Sequence, residues 1–168
     1  MTNNEDKKSG TYEDVKYFEN DVKCFRSYKN FVLVAEEWFK NNKLNRDEET
    51  DLPALIWFYE NGNKRQEVWC RDGLPYRKTC KTAWVEYDEN GRRKYGAWYY
   101  ENGNKAEEVW SQDSINKPGQ PHRIEYYENG KEKAKHWKEN GRLYSESISW
   151  KENDENGDCE IFGSMKLD

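Results

Sequence analysis

The sequence predicts an all-β fold, an antiparallel meander of repeated β-hairpins forming one elongated, twisted or curved sheet. Three observations predict it. WFYENGNKRQEVWCRDG at 57–73 recurs as WYYENGNKAEEVWSQD at 98–113 and as YYENGKEKAKHWKENG at 126–141. The Asn of the leading Glu-Asn-Gly stands eleven residues before a second Asn or Asp in each copy: Asn61 and Asp72, Asn102 and Asp113, Asn129 and Asn140. Asn-Gly or Asp-Gly, the strongest short-range hairpin signal, recurs along the chain at Gly62, Gly73, Gly91, Gly103, Gly130, Gly141 and Gly157. Self-similarity at fixed spacing marks units too small to bury a core alone, which must stack on their neighbours.

Composition agrees. Leu, Ile, Val and Phe are only 25 of 168 residues, but 15% of the chain is aromatic, with 8 Trp and 12 Tyr, and the net charge is only -5. Aromatic side chains bury about 150–250 Å² each, so a few per unit replace the missing aliphatic core.

Residues 1–14 are polar and charged and are expected to form a disordered tail. A repeat array follows over 15–157, with degenerate first units at 15–53 and regular units at 54–150. Tyr17-Phe18-Glu19-Asn20-Asp21 is the turn motif without its Gly, and Trp38 with Asn41-Asn42 is the Trp-x-x-Asn motif. Between them, 31–35 (FVLVA) reads as a strand; a short helix through Ala35 to Lys40 is the alternative.

In the regular units the eleven-residue intervals are strands. The intervals from a Trp-x-x-Asn/Asp turn to the next turn Asn vary, at 20, 18 and 16 residues, and hold all four prolines, Pro53, Pro75, Pro118 and Pro121. Proline cannot donate to a sheet ladder, so these intervals carry a loop and then a strand. Two turn geometries are open. A two-residue type I′ turn at Asn61-Gly62 pairs Phe58 with Arg65; a three-residue Glu60-Asn61-Gly62 turn with a Gly bulge pairs it with Lys64. The choice moves every side chain to the other face. At the C-terminus Trp150 keeps the Trp-x-x-Asn spacing, and 158–168 is expected to be a cap or tail, with Ile161 and Phe162 as capping residues.

These motifs resemble the MORN-repeat variant family, whose units read aromatic-Tyr-x-Asn-Gly, then Trp or Tyr, then x-Asn-Gly; the segment 126–141 is the nearest match. A longer form with a His-Arg pair and Gly-Pro-Ala resembles 38–62, through Asn45-Arg46 and Leu52-Pro53-Ala54, and is echoed by Tyr76-Arg77 with Thr82-Ala83. The resemblance implies a β-hairpin scaffold for protein contacts, or in some members membrane and phosphoinositide contacts. It also implies a place among proteins abundant in giant viruses of amoebae and found in bacteria, hence a virion or host-directed role. The Gly-x-Gly strand of ordinary MORN units is largely missing here.

Chemistry-bearing patterns are few. The two histidines, His122 and His136, stand apart from any metal-ligand spacing. The carboxylates Glu60, Glu89, Glu101, Glu128 and Glu139 all precede a turn Asn, so they serve the unit, whereas a catalytic pair would be singular. No catalytic residue, metal or cofactor is expected, with a carbohydrate-active carboxylate pair as the remote alternative. A sequence pI near 5.3 argues against nucleic acid. Scattered cysteines, a polar N-terminus and no long apolar run suggest a reducing cytoplasm-like compartment and no secretion.

The expected function is therefore a non-catalytic scaffold for a protein partner, with a homodimer expected and an anionic membrane surface as the alternative. Trp38, Trp69, Trp110, Trp137 and Trp150, with Gly62, Gly73, Gly91, Gly103, Gly130 and Gly141, are expected to be structural. The stretches that do not repeat, Pro75-Tyr76-Arg77 and Pro118 with Pro121, His122 and Arg123, are the candidate partner contacts.

Overall fold

A computed structural model describes residues 10–78, 81–115, 119–139, 142–149 and 160–167. Its strands are β1 (Thr11–Phe18), β2 (Val22–Lys29), β3 (Val32–Lys40), β4 (Lys43–Leu44), β5 (Leu55–Phe58), β6 (Lys64–Val68), β7 (Cys70–Arg71), β8 (Leu74–Pro75), β9 (Trp84–Tyr87), β10 (Arg93–Tyr99), β11 (Lys105–Trp110), β12 (Arg123–Tyr126), β13 (Glu132–Glu139), β14 (Arg142–Ser149) and β15 (Glu160–Leu167). Thirteen form one sheet in strict chain order, with β4 hung on β3; β7 and β8 make a separate ribbon. Every pairing is antiparallel. Short 3-10 turns occur at Glu48–Thr50 and Gln112–Ser114. Among the described residues no helix is long and apolar enough to cross a membrane.

The predicted meander is present, and it extends beyond the expected bounds. Strand β1 takes in residues 11–14, so the last part of the stretch 1–14 expected as a disordered tail is a strand. Strand β3 is extended throughout, so the helix alternative over Ala35 to Lys40 fails, and Phe31 is a turn residue instead of the first of the strand. Ile161 and Phe162 lie in β15, paired with Ile148 and Ser147 of β14.

Seven of the described turns divide into two kinds. At Gly62, Gly91, Gly103 and Gly130 the chain makes the three-residue turn. The Gly N–H donates to the carbonyl three residues back, Tyr59, Asp88, Tyr100 or Tyr127, and that residue's N–H donates to the carbonyl just past the Gly. Only the Gly takes positive φ, from +80° to +86°, while the preceding Asn does not. Phe58 accordingly pairs with Lys64 and the register shifts there, so of the two turn geometries open at Asn61-Gly62 the chain takes the three-residue one. Two-residue turns with positive φ at both centres, as type I′ needs, do occur at Asn30-Phe31, Asn41-Asn42 and Asp72-Gly73. Asn and Asp tolerate that region through local hydrogen bonding.

The core is thin and two-sided. Opposed residues of an antiparallel pair share a face, so Leu55, Val68, Trp84, Ala97 and Glu108 form a row on one face, and Glu36, Ile56, Glu67 and Val85 a row on the other. On the first face Ala54, Leu55, Val68 and Cys70 pack with Leu44 and Trp84; on the second, Trp69, Ala83 and Val85 pack with Tyr87. The Cys70 thiol is free and burial pushes it up to about 11.

Candidate functional site

Each variable interval follows a Trp, whose backbone N–H clips its far end back to the sheet. The Trp38 N–H donates to the Ala54 carbonyl, that of Trp69 to Ala83, and that of Trp110 to His122, so His122 holds the position that alanine holds in the other two loops. In the first two loops the correspondence is closer. The Trp carbonyl accepts from the residue seven on, Asn45 or Tyr76. The arginine eight on then lies over the Trp ring, Arg46 at 4.2 Å from the Trp38 centroid and Arg77 at 3.7 Å from that of Trp69. Each arginine also donates to the carbonyl just before the alanine, Arg46 to Pro53 at 3.1 Å and Arg77 to Thr82 at 3.2 Å.

Neighbouring loops are stitched by indole N–H groups. Trp69 donates to the Asp51 carbonyl at 3.0 Å and Trp137 to the Gly119 carbonyl at 2.9 Å, in both cases eighteen residues back. Asp51 and Gly119 each take positive φ, 51° and 76°. The Asp51 carboxylate also receives Arg77 through two parallel bonds, 2.7 and 3.0 Å, and Lys81 at 2.7 Å. Those donors hold its carboxyl well below the usual range.

The turns are stitched as well. Tyr59 donates its hydroxyl to the Tyr87 carbonyl, and both Asn61 and Asn63 donate to the Glu89 carbonyl. At the other end of the sheet Tyr100, Asn102 and Asn104 repeat these bonds onto Tyr126 and Glu128. The donor turns read Glu-Asn-Gly-Asn and the acceptor turns Glu-Asn-Gly-Arg and Glu-Asn-Gly-Lys.

An odd strand decides where the loops emerge. Trp38 and Trp69 are two main-sheet strands apart and share one face and one end. Between Trp69 and Trp110 lie β9, β10 and β11, three strands, so Trp110 reaches the opposite end on the opposite face, in the company of Trp137. Two open grooves follow. One, of about 860 Å³, lies beside Trp38 and is bounded by Asn45, Arg46, Leu52, Arg71 and Lys78. The other, of about 910 Å³, lies beside Trp110, with Trp84, Glu86 and Tyr95 on the same sheet face, Arg92, Lys94, Lys105, Asp88 and Asp113 around it, and Ser111, Ser114 and Gln120 from the 111–122 loop.

Buried carboxylates sit beneath these features. Glu108 receives the Tyr95 hydroxyl at 2.7 Å, the Tyr126 hydroxyl at 2.8 Å and the Lys105 ammonium. Burial alone would raise its pKa, and the three donors outweigh burial and lower it. Burial and then the Glu108 bond push the Tyr95 and Tyr126 phenols up. Glu67 repeats the set with Lys64 and Tyr87. The third copy reverses the pair, with Glu132 and Lys135 2.7 Å apart. His136 lies between Ser145 at 2.8 Å and Glu125 at 3.1 Å, across three adjacent strands. Glu125 also pairs with Arg123 at 3.0 Å and Lys133 at 3.6 Å. A Ser-His-Glu series is the hydrogen-bonding order of a hydrolase triad. Here the three side chains share one sheet face, with Arg123 and Lys133 paired to Glu125, and none of the described grooves is lined by them.

The predicted residues fall out as follows. Trp38, Trp69, Trp110 and Trp137 are the loop anchors, and Gly62, Gly73, Gly91, Gly103 and Gly130 the left-handed turn residues. Gly141, Trp150 and Pro118 lie outside the described residues. Of the candidate contacts, Pro75 is in β8, and the Tyr76 ring carries the Arg71 guanidinium at 3.7 Å. Arg77 is committed to Trp69, Asp51 and Thr82. Pro121 and His122 close the 111–122 loop, and Arg123 reaches Glu107 at 3.0 Å. Missed in the sequence were Asp51, the second Asn of each donor turn, and the Lys-x-x-Glu pairs. The second Asn and the Lys-x-x-Glu pairs had signals in the doubled Glu-Asn-Gly-Asn-Lys and Glu-Val-Trp strings, whereas Asp51 had none. No family model, curated protein or solved structure matches this chain.

Proposed function

We propose that the protein is a non-catalytic repeat scaffold that holds a segment of another protein in the groove beside Trp110. The observation that supports this reading is the groove itself. It is open, about 910 Å³, with Trp84, Tyr95 and Trp110 along it and cations and carboxylates around it, and Ser111, Ser114 and Gln120 on one wall come from a stretch that departs from the repeat. Tryptophan, tyrosine and arginine are the side chains that carry most binding energy at protein interfaces, and charges of both signs at a rim set partner choice more than affinity. The polar clusters elsewhere are spent on joining strands, which suits a scaffold.

The test is a quantitative pull-down with wild-type protein and an Arg92→Glu/Lys94→Glu variant of unchanged circular dichroism, followed by titration of whichever purified protein is retained. A Lys40→Glu/Lys78→Glu variant in the other groove is the comparison. The expected result is a partner bound by the wild type and the comparison and lost by the Arg92/Lys94 variant. Equal retention by all three, or binding only to anionic vesicles, overturns the reading.

A further inference from the structure

We infer that β1 is a self-complementary edge through which two copies of this chain join their sheets, antiparallel and in register about Val15. The inference is independent of the Trp110 groove. Among the described residues strand β1 has one neighbour, β2, and an edge strand offers a row of backbone donors and acceptors to another chain. The large apolar side chains left exposed gather at this end: Tyr12, Tyr17, Phe18, Phe31 and Val32 are five of nine such residues among those described. Edges that avoid pairing carry bulges, proline or charged side chains; β1 has neither bulge nor proline, and its charges, Glu13, Asp14 and Lys16, are of both signs. The β1–β2 pairing runs unbroken from Thr11 to Phe18, and the strand reads TYEDVKYF.

Geometry restricts the pairing. A two-fold axis normal to the sheet keeps each face on itself, so opposed residues must come from positions of the same parity. Centred on Val15, this sets Asp14 opposite Lys16 of the second copy, and Lys16 opposite Asp14. Tyr12 then faces Phe18, and Glu13 faces Tyr17. Centring one residue either way would set Asp14 against Asp14 or Lys16 against Lys16. Both aromatics are already built into the face they would extend. Tyr12 stacks on Tyr28 with centroids 4.7 Å apart, and Phe18 on Trp38 at 5.3 Å. Pairing would continue one copy's Tyr12-Tyr28 stack into the other's Phe18-Trp38 stack.

Sedimentation equilibrium of the full chain across the micromolar range tests this, with Asp14→Lys, Lys16→Asp and the double exchange, each checked for unchanged circular dichroism. The wild type should be a dimer. Each single exchange sets two like-charged pairs across the axis and should weaken dimerisation about tenfold or more. The double exchange should restore it, and the two single variants mixed should form a heterodimer. A monomeric wild type overturns the inference, as do single variants that pair as tightly as wild type. Open filaments, which would signal β1 meeting β15 of the next copy, overturn it too.

Discussion

Arg77 lies flat over Trp69, its guanidinium 3.7 Å from the ring centroid, and from there it reaches Asp51 with two parallel hydrogen bonds. Arg46 stands over Trp38 in the same way, thirty-one residues earlier. A planar cation stacked on an indole can use its edge for a carboxylate at the same time, which an ammonium cannot do. Arg77→Ala should therefore cost about 2 kcal/mol of stability, from the lost cation–π contact and charged hydrogen bonds. Arg77→Lys should recover less than half of that. Urea unfolding read by tryptophan fluorescence checks both; a fully stable Lys variant would refute the stacked geometry.

Asp51 gives this contact a pH dependence. Its carboxyl is held well below the usual range by Arg77, then Lys81. A depressed carboxyl pKa contributes stability that is present above the unfolded value, about 4, and is lost as pH falls from there through the folded pKa. The stability gap between wild type and Asp51→Asn should hold steady from neutral pH to about pH 4 and narrow below it. Added salt should shrink the gap as well, since the carboxylate is partly exposed. A gap that widens in acid would contradict the assignment.

Glu108 and its tyrosines act at the other end of the scale. The phenols of Tyr95 and Tyr126, and that of Tyr87 at about 12, are raised by burial and then by their carboxylate partners. A raised folded pKa gives stability that is complete below about pH 10, the unfolded tyrosine value, and declines as pH rises through the folded one. Unfolding free energy should therefore fall steeply above about pH 10, and Tyr95→Phe should flatten that slope. At neutral pH Glu108→Ala should cost about 2–4 kcal/mol, because two buried hydroxyls lose their acceptor. Chemical denaturation at neutral and alkaline pH measures both.

Gly96 leaves room for the Arg93 guanidinium. A β-carbon at 96 would fall on the Arg93 guanidinium, which crosses there to donate to the Thr82 hydroxyl at 3.2 Å and to lie 5.4 Å from the Trp98 centroid. Gly96→Ala should cost about 1 kcal/mol in the wild type by displacing that side chain. In an Arg93→Ala background it should cost nothing, or stabilise the strand slightly. A double-mutant cycle reads the coupling; additive effects would show that the two residues do not share the space.

The repeated turns were legible in the sequence because turn chemistry is local. Glu-Asn-Gly calls for a tight reversal wherever it stands, and Gly62 and its counterparts supply the one left-handed residue that the turn needs. The choice between two and three turn residues was not legible, since Asn61-Gly62 suits both and the register of Phe58 depends on it. Asp51 was invisible for another reason. Its partners Trp69 and Arg77 come from the next loop, and nothing in its neighbourhood along the chain, Glu48 to Pro53, marks it as an ion-pair centre.

By itself the sequence determined an antiparallel meander, the positions of its turns and the tryptophans that begin its loops, because these follow from backbone preferences and from periodicity within a few residues. Only the tertiary structure decided which loops meet. Three strands separate Trp69 from Trp110 where two separate Trp38 from Trp69, and each added strand reverses the chain's direction. The grooves beside Trp38 and Trp110 therefore open on opposite faces of the sheet. That outcome depends on counting strands and registers across the whole sheet, which no single motif encodes.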